Sequence, residues 1–202
     1  MYIQLIQGKV ADEERLRRRL DQWESELMPG AVGYLGTTAG FCDDGTFVAL
    51  ARFESAEAAR RNSQRPEQSA WWADTATCFS GDVSFVDCAA VRTWLDGGSD
   101  DAGFVQIMEG HSPDAKRMHD LMSRAADGVH HTRPEIIGGL MCEADDGTYV
   151  DAIYFTSEAD ARDGEQRNIP DDLSSTFEEG MQLMGEISYL DLHHPMLTSA
   201  AR

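Results

Sequence analysis

The sequence of one predicted hairpin occurs twice in this chain. The segment DDGTFVALARFES covers Asp43–Ser55, and the segment DDGTYVDAIYFTS covers Asp145–Ser157, 102 positions later. The same register aligns residues 4–64 with residues 106–166 without a gap. A self-match of this length indicates two copies of one folding unit, which constrains the fold more than any other feature of the sequence.

A short glycine-rich and acidic segment separates the two copies. GDVSFVD at Gly81–Asp87 matches GEISYLD at Gly185–Asp191 at an offset of 104, so the second copy carries two extra residues before this point. Between the copies lies LDGGSDDAG, a composition typical of linkers. We therefore predict a first unit over residues 1–95, a linker over 96–102 and a second unit over 103–197.

Each copy contains the elements of a βαββαβ unit. MYIQLIQ alternates in polarity as a strand does, and the next segment places Leu16, Leu20 and Leu27 on one face of a helix. Asp44 and Gly45 tolerate the positive backbone angles of a tight hairpin between the next two strands. The serine that ends each repeated segment is a helix N-cap for a second helix, and SFVD or SYLD closes the unit as a last strand.

This order predicts an α+β fold with two ferredoxin-like units, each a four-stranded antiparallel sheet with both helices on one face. In the third strand both faces are apolar, since Phe47, Ala49 and Ala51 alternate with Val48 and Leu50. A sheet that is apolar on both faces needs a second cover. We expect the two units to pack sheet to sheet, as an intramolecular dimeric α/β barrel, and the chain to be a monomer or a weak homodimer.

Composition excludes several classes of function. A formal net charge of -19 repels phosphate backbones and anionic lipid surfaces, so we expect neither nucleic acid nor membrane partners. No apolar run approaches the length of a membrane span, and the N-terminus has no cleavable signal pattern. Four cysteines without a C-x-x-C pair fit a reducing compartment. The sequence therefore predicts a cytoplasmic protein.

The segment FESAEAARRNSQRPEQSAWW, Phe53–Trp72, resembles the second-helix region of antibiotic biosynthesis monooxygenase-like domains, which belong to the dimeric α/β-barrel superfamily. That superfamily includes cofactor-independent oxygenases, haem-degrading enzymes and proteins without known activity. The resemblance implies a small-molecule-binding protein similar to cofactor-independent monooxygenases acting on aromatic compounds of phenolic or quinol type. The alternative is a non-catalytic ligand-binding or stress-related protein of the same fold.

Six residues are candidates for contact with a small aromatic ligand. Gln4, on the side of the first strand that we expect to face the barrel, either orients a ligand or satisfies a neighbouring backbone group. Arg52 either reaches a substrate anion or lies exposed at a strand end, and exposure is favoured. Related oxygenases carry asparagine and tryptophan in the pocket, and adjacent tryptophans on a helix diverge, so we expect at most one of the two to face it. The candidates are Gln4, Tyr34, Arg52, Asn62, Trp71 and Trp72.

Cofactors and metals are not expected. Haem-degrading proteins that resemble this fold use a histidine of the second helix, and neither second helix here contains one. His130-His131 and His193-His194 diverge on a strand or a helix, which argues against a metal site. His119 is a possible base if it faces a cavity, but the sequence identifies no carboxylate that would orient it. We predict no stoichiometric haem, flavin or metal.

The ligand pocket is expected in the first copy. The register of 102 places Gly164, Leu173 and Ser174 where the first copy has its asparagine and tryptophan pair. The second copy keeps the turn and the helix cap that folding needs, so it is interpreted as a scaffold.

Overall fold

The computed structural model describes residues 1–200, apart from the side chain of Asp127. Contacts between residues divide the chain into two units, one formed by Met1–Ala89 together with the segment that begins at Met196, the other by Ala90–Pro195. Each unit contains one five-stranded antiparallel sheet and helices, which confirms the α+β class. Among the described residues, no helix is long and apolar enough to cross a membrane.

The first copy begins with a strand and a helix that ends irregularly. After α1, a π-helical turn at Trp23–Leu27 and a 3₁₀ turn at Met28–Gly30 lead into the hairpin. The elements in chain order are β1 (Tyr2–Lys9), α1 (Glu13–Gln22), β2 (Tyr34–Phe41), β3 (Thr46–Phe53), α2 (Ala56–Ser63), α3 (Pro66–Ala76), β4 (Ser84–Cys88) and β5 (Ala90–Trp94).

The second copy repeats this order with a longer first helix. Its elements are β6 (Phe104–His111), α4 (Ala115–Thr132), β7 (Ile136–Glu143), β8 (Thr148–Phe155), α5 (Glu158–Glu165), α6 (Asp171–Met184), β9 (Ile187–Leu192) and β10 (Met196–Ser199).

Turn and cap residues act as the repeated sequence predicts. Gly45 and Gly147 have φ of 80° and 87°, a conformation that glycine adopts without strain. Ser55 and Ser157 cap α2 and α5 by accepting hydrogen bonds from the backbone N–H groups of Ala58 and Asp160. The second helical stretch of each copy is two helices rather than the one predicted, because Pro66 restarts the first copy's chain at α3 and Pro170 precedes α6.

The strand order in the first sheet is β10-β2-β3-β1-β4, and in the second it is β5-β7-β8-β6-β9. Four strands of each sheet form the predicted ferredoxin-like core. The fifth strand of each comes from the other copy, so residues 90–94, predicted within the first unit, lie in the second, and Met196 and Leu197, predicted within the second, lie in the first. Ala89 alone separates β4 from β5, which is too short for a hairpin, and β5 pairs with β7 instead.

The two faces of the first sheet differ in what covers them. Gln4 and Ala49 lie on the face that lines a cavity together with residues of α1 and α3, so the expectation that Gln4 faces a barrel was wrong. Ile3, Leu5 and Val48 are buried on the opposite face. The packing of one sheet on the other stays a prediction.

Candidate functional site

The first unit encloses a cavity of about 650 Å³ between its sheet and its helices. The volume lies within the range typical of small-molecule sites. Five of the six candidate residues line it, and Arg52 does not. Aromatic side chains dominate the wall: Trp23, Tyr34, Phe47, Phe53, Trp71, Trp72, Phe79 and Phe85.

Both tryptophans of the adjacent pair line the cavity, in different ways, so the expectation that at most one would face it was wrong. Trp71 is buried, and its Nε1 donates to the carbonyl of Arg19 at 2.9 Å, so its indole is fixed as part of the wall. Trp72 is half-buried between Phe79 and Phe85, with ring centroids 6.3 and 5.3 Å away. Among residues 1–200 we find no hydrogen-bond partner for the Trp72 Nε1, which leaves it available to a ligand.

The π-helical turn at the end of α1 contributes a third tryptophan. Trp23 donates to Gln68 Oε1 at 2.7 Å and packs edge-on against Tyr34, with ring centroids 5.0 Å apart. Such turns often accompany functional sites because they redirect a side chain without ending the helix. Trp23 follows Leu16 and Leu20 at helical spacing, and its place in the wall depends on this turn.

Asn62 presents one amide group to the cavity. Arg65 donates to Asn62 Oδ1 at 2.9 Å and to the carbonyl of Leu27 at 3.1 Å, so the arginine fixes which way the buried amide points. In the described part of the chain the Nδ2 group has no hydrogen-bond partner. Asn62 is therefore positioned to donate to an oxygen of a ligand.

Gln4 is held by a carboxylate on the neighbouring strand. Its Nε2 donates to Asp87 Oδ1 at 2.9 Å across the β1–β4 pair, and Gln106 donates to Asp191 in the same way in the second copy. Burial, followed by the hydrogen bond to Asp87, raises the pKa of the Tyr2 hydroxyl. The repeat of the glutamine thus has a structural reason, the cross-strand pair, and the Gln4 side chain also borders the cavity.

Tyr34 and Arg52 were the two candidates for stabilising negative charge. The Tyr34 hydroxyl donates to Thr37 Oγ1 at 2.7 Å, and the residue lines the cavity. Arg52 lies on the opposite sheet face, where its guanidinium donates to Thr38 Oγ1 and to the carbonyl of Thr198, each at 3.4 Å. It is buried, so the expectation of an exposed strand end was wrong, and its position does not support a role in this cavity.

The first cavity holds few groups that titrate. Among residues 1–200 its lining includes no histidine, and its only carboxylates are those of Asp21 and Glu24, both exposed. A ligand here meets aromatic faces and amides rather than a buried base.

The second unit, which the sequence led us to interpret as a scaffold, also encloses a cavity, of about 520 Å³. Leu173, which the register of 102 aligned with Trp71, does not line it and instead abuts Gly128. Phe177 of α6 lines it, because the two-residue insertion shifts the register of that helix. Five methionines give this wall a more flexible character than the aromatic wall of the first cavity: Met108, Met122, Met141, Met181 and Met184.

A buried acid–base pair lies at the second cavity. Asp151 of β8 lines it and is 2% exposed, and its Oδ1 is 2.9 Å from His119 Nε2 of α4, which is fully buried. His119 Nδ1 is 3.5 Å from Glu143 Oε2. Burial raises the pKa of the Asp151 carboxyl, although the hydrogen bond and charge of His119 oppose that shift. A signal for this pair is present in the sequence, since Asp151 interrupts the inward-facing apolar positions of its strand.

The histidine pairs do not converge on a metal site. His130 and His131 lie within α4, and His193 Nδ1 is 2.6 Å from Glu158 Oε2. Within the described residues, no group of three or more histidine, cysteine or acidic side chains is arranged to hold a metal ion.

The sequence matches no protein-family model and has no significant match among curated proteins. Solved structures do match the fold. A candidate monooxygenase from Fusobacterium nucleatum superimposes with a TM-score of 0.76 at 9% identity, over 98% of this chain and 94% of that one. An anthrone oxidase-like protein gives 0.61 at 10% identity, over 100% of this chain and 94% of that one.

A ferredoxin-fold protein from Listeria monocytogenes, related to antibiotic biosynthesis monooxygenases, gives a TM-score of 0.52 at 12% identity over 97% of this chain and 96% of that one. The fold of this chain is therefore that of antibiotic biosynthesis monooxygenase-like ferredoxin-fold proteins, over the whole chain. The resemblance noted in the sequence is confirmed for the fold.

Proposed function

We propose that the first unit binds a flat phenolic or quinol-like compound and oxygenates it without a cofactor. The observation that carries this proposal is the cavity itself, in which three tryptophans face amide groups of Asn62 and Gln4. The anthrone oxidase-like structural neighbour supports the same substrate class through its name, and the neighbour called a candidate monooxygenase supports the reaction class.

Each lining group has a role in holding such a ligand. Trp72 packs against the ring system, since its indole is less enclosed than that of Trp71. Asn62 Nδ2 donates to a ring oxygen, and Gln4 Oε1 accepts from a hydroxyl while its Nε2 stays on Asp87. The Tyr34 hydroxyl lies on the same wall and, because it donates its proton to Thr37 Oγ1, accepts a hydrogen bond from a ligand hydroxyl.

The reaction needs no electrons other than those of the substrate. A ring methylene compound enters as its enolate anion, desolvated by the apolar wall, and transfers one electron to O₂. Recombination forms a carbon–oxygen bond and a peroxide. Loss of the remaining C–H proton with cleavage of the O–O bond leaves a carbonyl and releases water. One oxygen atom enters the product, the other leaves as water, and the substrate loses the four electrons that O₂ gains.

A second candidate function is ligand binding without catalysis. It is favoured by the lack of a buried base, because the carboxylates at the first cavity within residues 1–200 are the exposed Asp21 and Glu24. A substrate that does not ionise by itself would then be bound and released unchanged.

Oxygen consumption with dithranol, a hydroxylated anthrone, tests the two candidates. The proposal predicts uptake of O₂, formation of the quinone, and one labelled oxygen atom in the product when heavy-isotope oxygen gas is used. We expect Asn62→Ala to lower kcat/KM by about a hundredfold, as removal of one positioned donor does elsewhere. Leu173→Ala is the control, because this residue lines neither described cavity.

Binding of dithranol without oxygen uptake would favour the non-catalytic alternative. Equal losses in Asn62→Ala and Leu173→Ala, at equal stability, would contradict the first-unit site. A Soret or flavin band in active protein would contradict cofactor independence.

A further inference from the structure

The second cavity contains the buried base that the first one lacks. Asp151 borders the cavity, His119 lies behind it at 2.9 Å, and Glu143 follows at 3.5 Å. These three groups form a row that runs from the cavity to a carboxylate whose side chain is 20% exposed.

The fold does not require this row. Ala49 occupies the position of Asp151 in the first copy, and Arg17 occupies that of His119, with the same strands and helix around them. Burying ionisable groups costs free energy unless they are paired, and an apolar replacement of similar size is often equally stable. A network that the sister unit replaces with an alanine is therefore better explained by its chemistry than by folding.

The row is incomplete as a structural network. His119 Nδ1 and Glu143 Oε2 are both buried and, among residues 1–200, have no hydrogen-bond partner. A shift of a few tenths of an ångström would join them, and hydrogen bonds of this kind are often long before a ligand binds.

Other charged and titratable groups also surround the pair. Arg92 of β5 acts on Asp151 through its charge and lies 3.3 Å from Asp120 of α4. Burial, followed by the charge of Asp151, raises the pKa of the Tyr149 hydroxyl to about 12, so that this residue, with its ring edge-on to His119, stays neutral. These neighbours leave Asp151 as the group that can accept a proton from the cavity.

A donor accompanies this acceptor. Trp94 lines the same cavity, and its indole occupies the space above Gly139, where a Cβ atom would lie 1.4 Å from the Trp94 Nε1. That nitrogen is buried and, within the described residues, has no partner. The wall of the cavity, which is rich in methionine, therefore contains one carboxylate acceptor and, packed on Gly139, one unpaired N–H group.

These features select a class of ligand. The cavity's other carboxylates, Glu165 and Asp191, are already paired with Arg162, so an ammonium with its three donors would find too few acceptors. A permanent anion would be repelled by Asp151. A neutral molecule with a single acidic hydroxyl on an apolar body fits both the acceptor and the donor.

We propose that the second cavity is a binding site for a weakly acidic hydroxyl compound, a phenol or an enol, in which Asp151 accepts the hydroxyl proton and His119 and Glu143 transfer it towards the surface. The ligand's O–H bond breaks, its electron pair stays on the ligand oxygen, and the proton bonds to a carboxylate oxygen of Asp151. Trp94 Nε1 donates to the ligand oxyanion. The step is a proton transfer only and needs no oxidant, and it does not depend on the function proposed for the first unit.

β-Naphthol tests this site because it becomes a strong acid when excited and emits at different wavelengths as naphthol and as naphtholate. In a cavity without a base it emits as naphthol. We expect the bound probe to emit as naphtholate in the wild-type protein, and to emit as naphthol in Asp151→Asn, which keeps the shape but cannot accept the proton. β-Methoxynaphthalene, which has no acidic proton, should displace the probe and confirm that it is bound.

The matched control is Leu173→Ala, which lines neither described cavity and should leave the naphtholate emission unchanged. If Asp151→Asn does not fold, Met181→Trp fills the cavity without touching the row and should abolish the anisotropic naphtholate emission that marks the bound probe, as distinct from the isotropic emission of probe in water. Absence of binding, naphthol emission from the probe bound to the wild type, or anisotropic naphtholate emission that survives both second-unit changes would overturn the proposal. A purely structural pair would lower the melting temperature of Asp151→Asn while leaving the emission as in the wild type.

Discussion

The two units build the same sheet and helix arrangement around different interiors. Four corresponding positions at one end of the sheets hold Arg17, Phe41, Ala49 and Met196 in the first unit and His119, Glu143, Asp151 and Arg92 in the second. In the first unit the arginine lies over the ring of Phe41, 4.3 Å from its centroid, and approaches Met196 Sδ at 3.8 Å. In the second unit His119, Glu143 and Asp151 form the row of titratable groups, and Arg92 is paired with Asp120 of α4.

This difference separates the features that belong to the fold from those that belong to a site. The hairpin turns, the serine caps and the glutamine pairs with Asp87 and Asp191 recur in both units, so they are what the fold requires. The aromatic wall around Trp72 and the row behind Asp151 each occur once. The two cavities therefore differ in the side chains that line them, aromatic rings and amides in the first and methionines with a buried carboxylate in the second.

The largest expected effect concerns the fifth strand of each sheet. A fragment of residues 90–195 retains all five strands of the second sheet, and we expect it to unfold cooperatively in urea, as monitored by circular dichroism. A fragment of residues 103–197, the boundary that the sequence predicts, lacks β5 with Arg92 and Trp94 and exposes the edge of β7. It should be far less stable or aggregate.

The matching fragment of the first copy, Met1–Asp96, lacks β10 and leaves the apolar face around Ile3 and Val48 without a cover from the same chain. We expect it to aggregate or to dimerise through an area of about 800 Å² per partner. The intact chain should sediment as a monomer or a weak homodimer. A folded, strictly monomeric Met1–Asp96 fragment would contradict the view that each copy completes the other.

The next prediction compares a variant that removes one member of the row of Asp151, His119 and Glu143 with a variant that replaces two of its members by apolar side chains. Asp151→Ala leaves the fully buried His119 without its hydrogen-bond partner, and we expect a loss of about 3 to 5 kcal/mol in the free energy of unfolding. The double variant His119→Leu with Asp151→Ala restores an apolar interior like that of the first unit and should lose less than the single change. Urea denaturation measures both.

Arg17→Leu is the control at the position of His119 in the first unit, and it should change stability by less than about 1 kcal/mol because Arg17 is exposed. If the double variant loses as much as Asp151→Ala alone, the row is a structural requirement of the second unit, and the comparison between the interiors fails.

The sequence predicted the core of each sheet because its signals are local. Asp44-Gly45 and the alternation of β3 specify a hairpin by themselves, and the repeat shows the same hairpin twice. The exchange of β5 and β10 was missed, since pairing between distant segments leaves no local pattern. Arg52 shows the consequence of this missed pairing. Its guanidinium is buried with a hydrogen bond to the carbonyl of Thr198, which lies 146 positions away in β10.

The candidate site was predictable to a similar extent. The asparagine and tryptophan pair could be found because they follow a recognisable segment of one helical region. The partner of His119 could not be identified from spacing, since Asp151 lies 32 positions away on a strand. The available signal was the charge of Asp151 at an inward-facing position of an apolar strand. Comparison with Ala49, the corresponding residue of the first copy, would have identified Asp151 as unusual.

The smallest expected effect compares the two hairpin turns at acid pH. Lys9 donates to Asp44 Oδ2 at 2.5 Å, and this hydrogen bond, with those from Thr46, lowers the pKa of the Asp44 carboxyl to about 2. In the second copy His111 stands where Lys9 stands, and the pKa of Asp146 is lowered mainly by its backbone hydrogen bond with Thr148. The first turn therefore has an ion pair that the second lacks.

A lowered pKa in the folded state means that the unfolded chain binds the proton more readily. The stabilisation from Asp44 is complete above its ordinary pKa near 3.8 and is lost as pH falls through about 2. Because the pair is exposed to solvent, we expect Lys9→Met to remove less than about 1 kcal/mol at neutral pH, and less still at high salt. Urea midpoints between pH 5 and pH 2 should fall less steeply in the variant, by about the same small amount, because Asp44 then contributes less to the acid transition. His111→Met is the matched change in the second turn and should leave the slope nearly unchanged; an equal change of slope in both variants would show that the lysine adds nothing to the first turn.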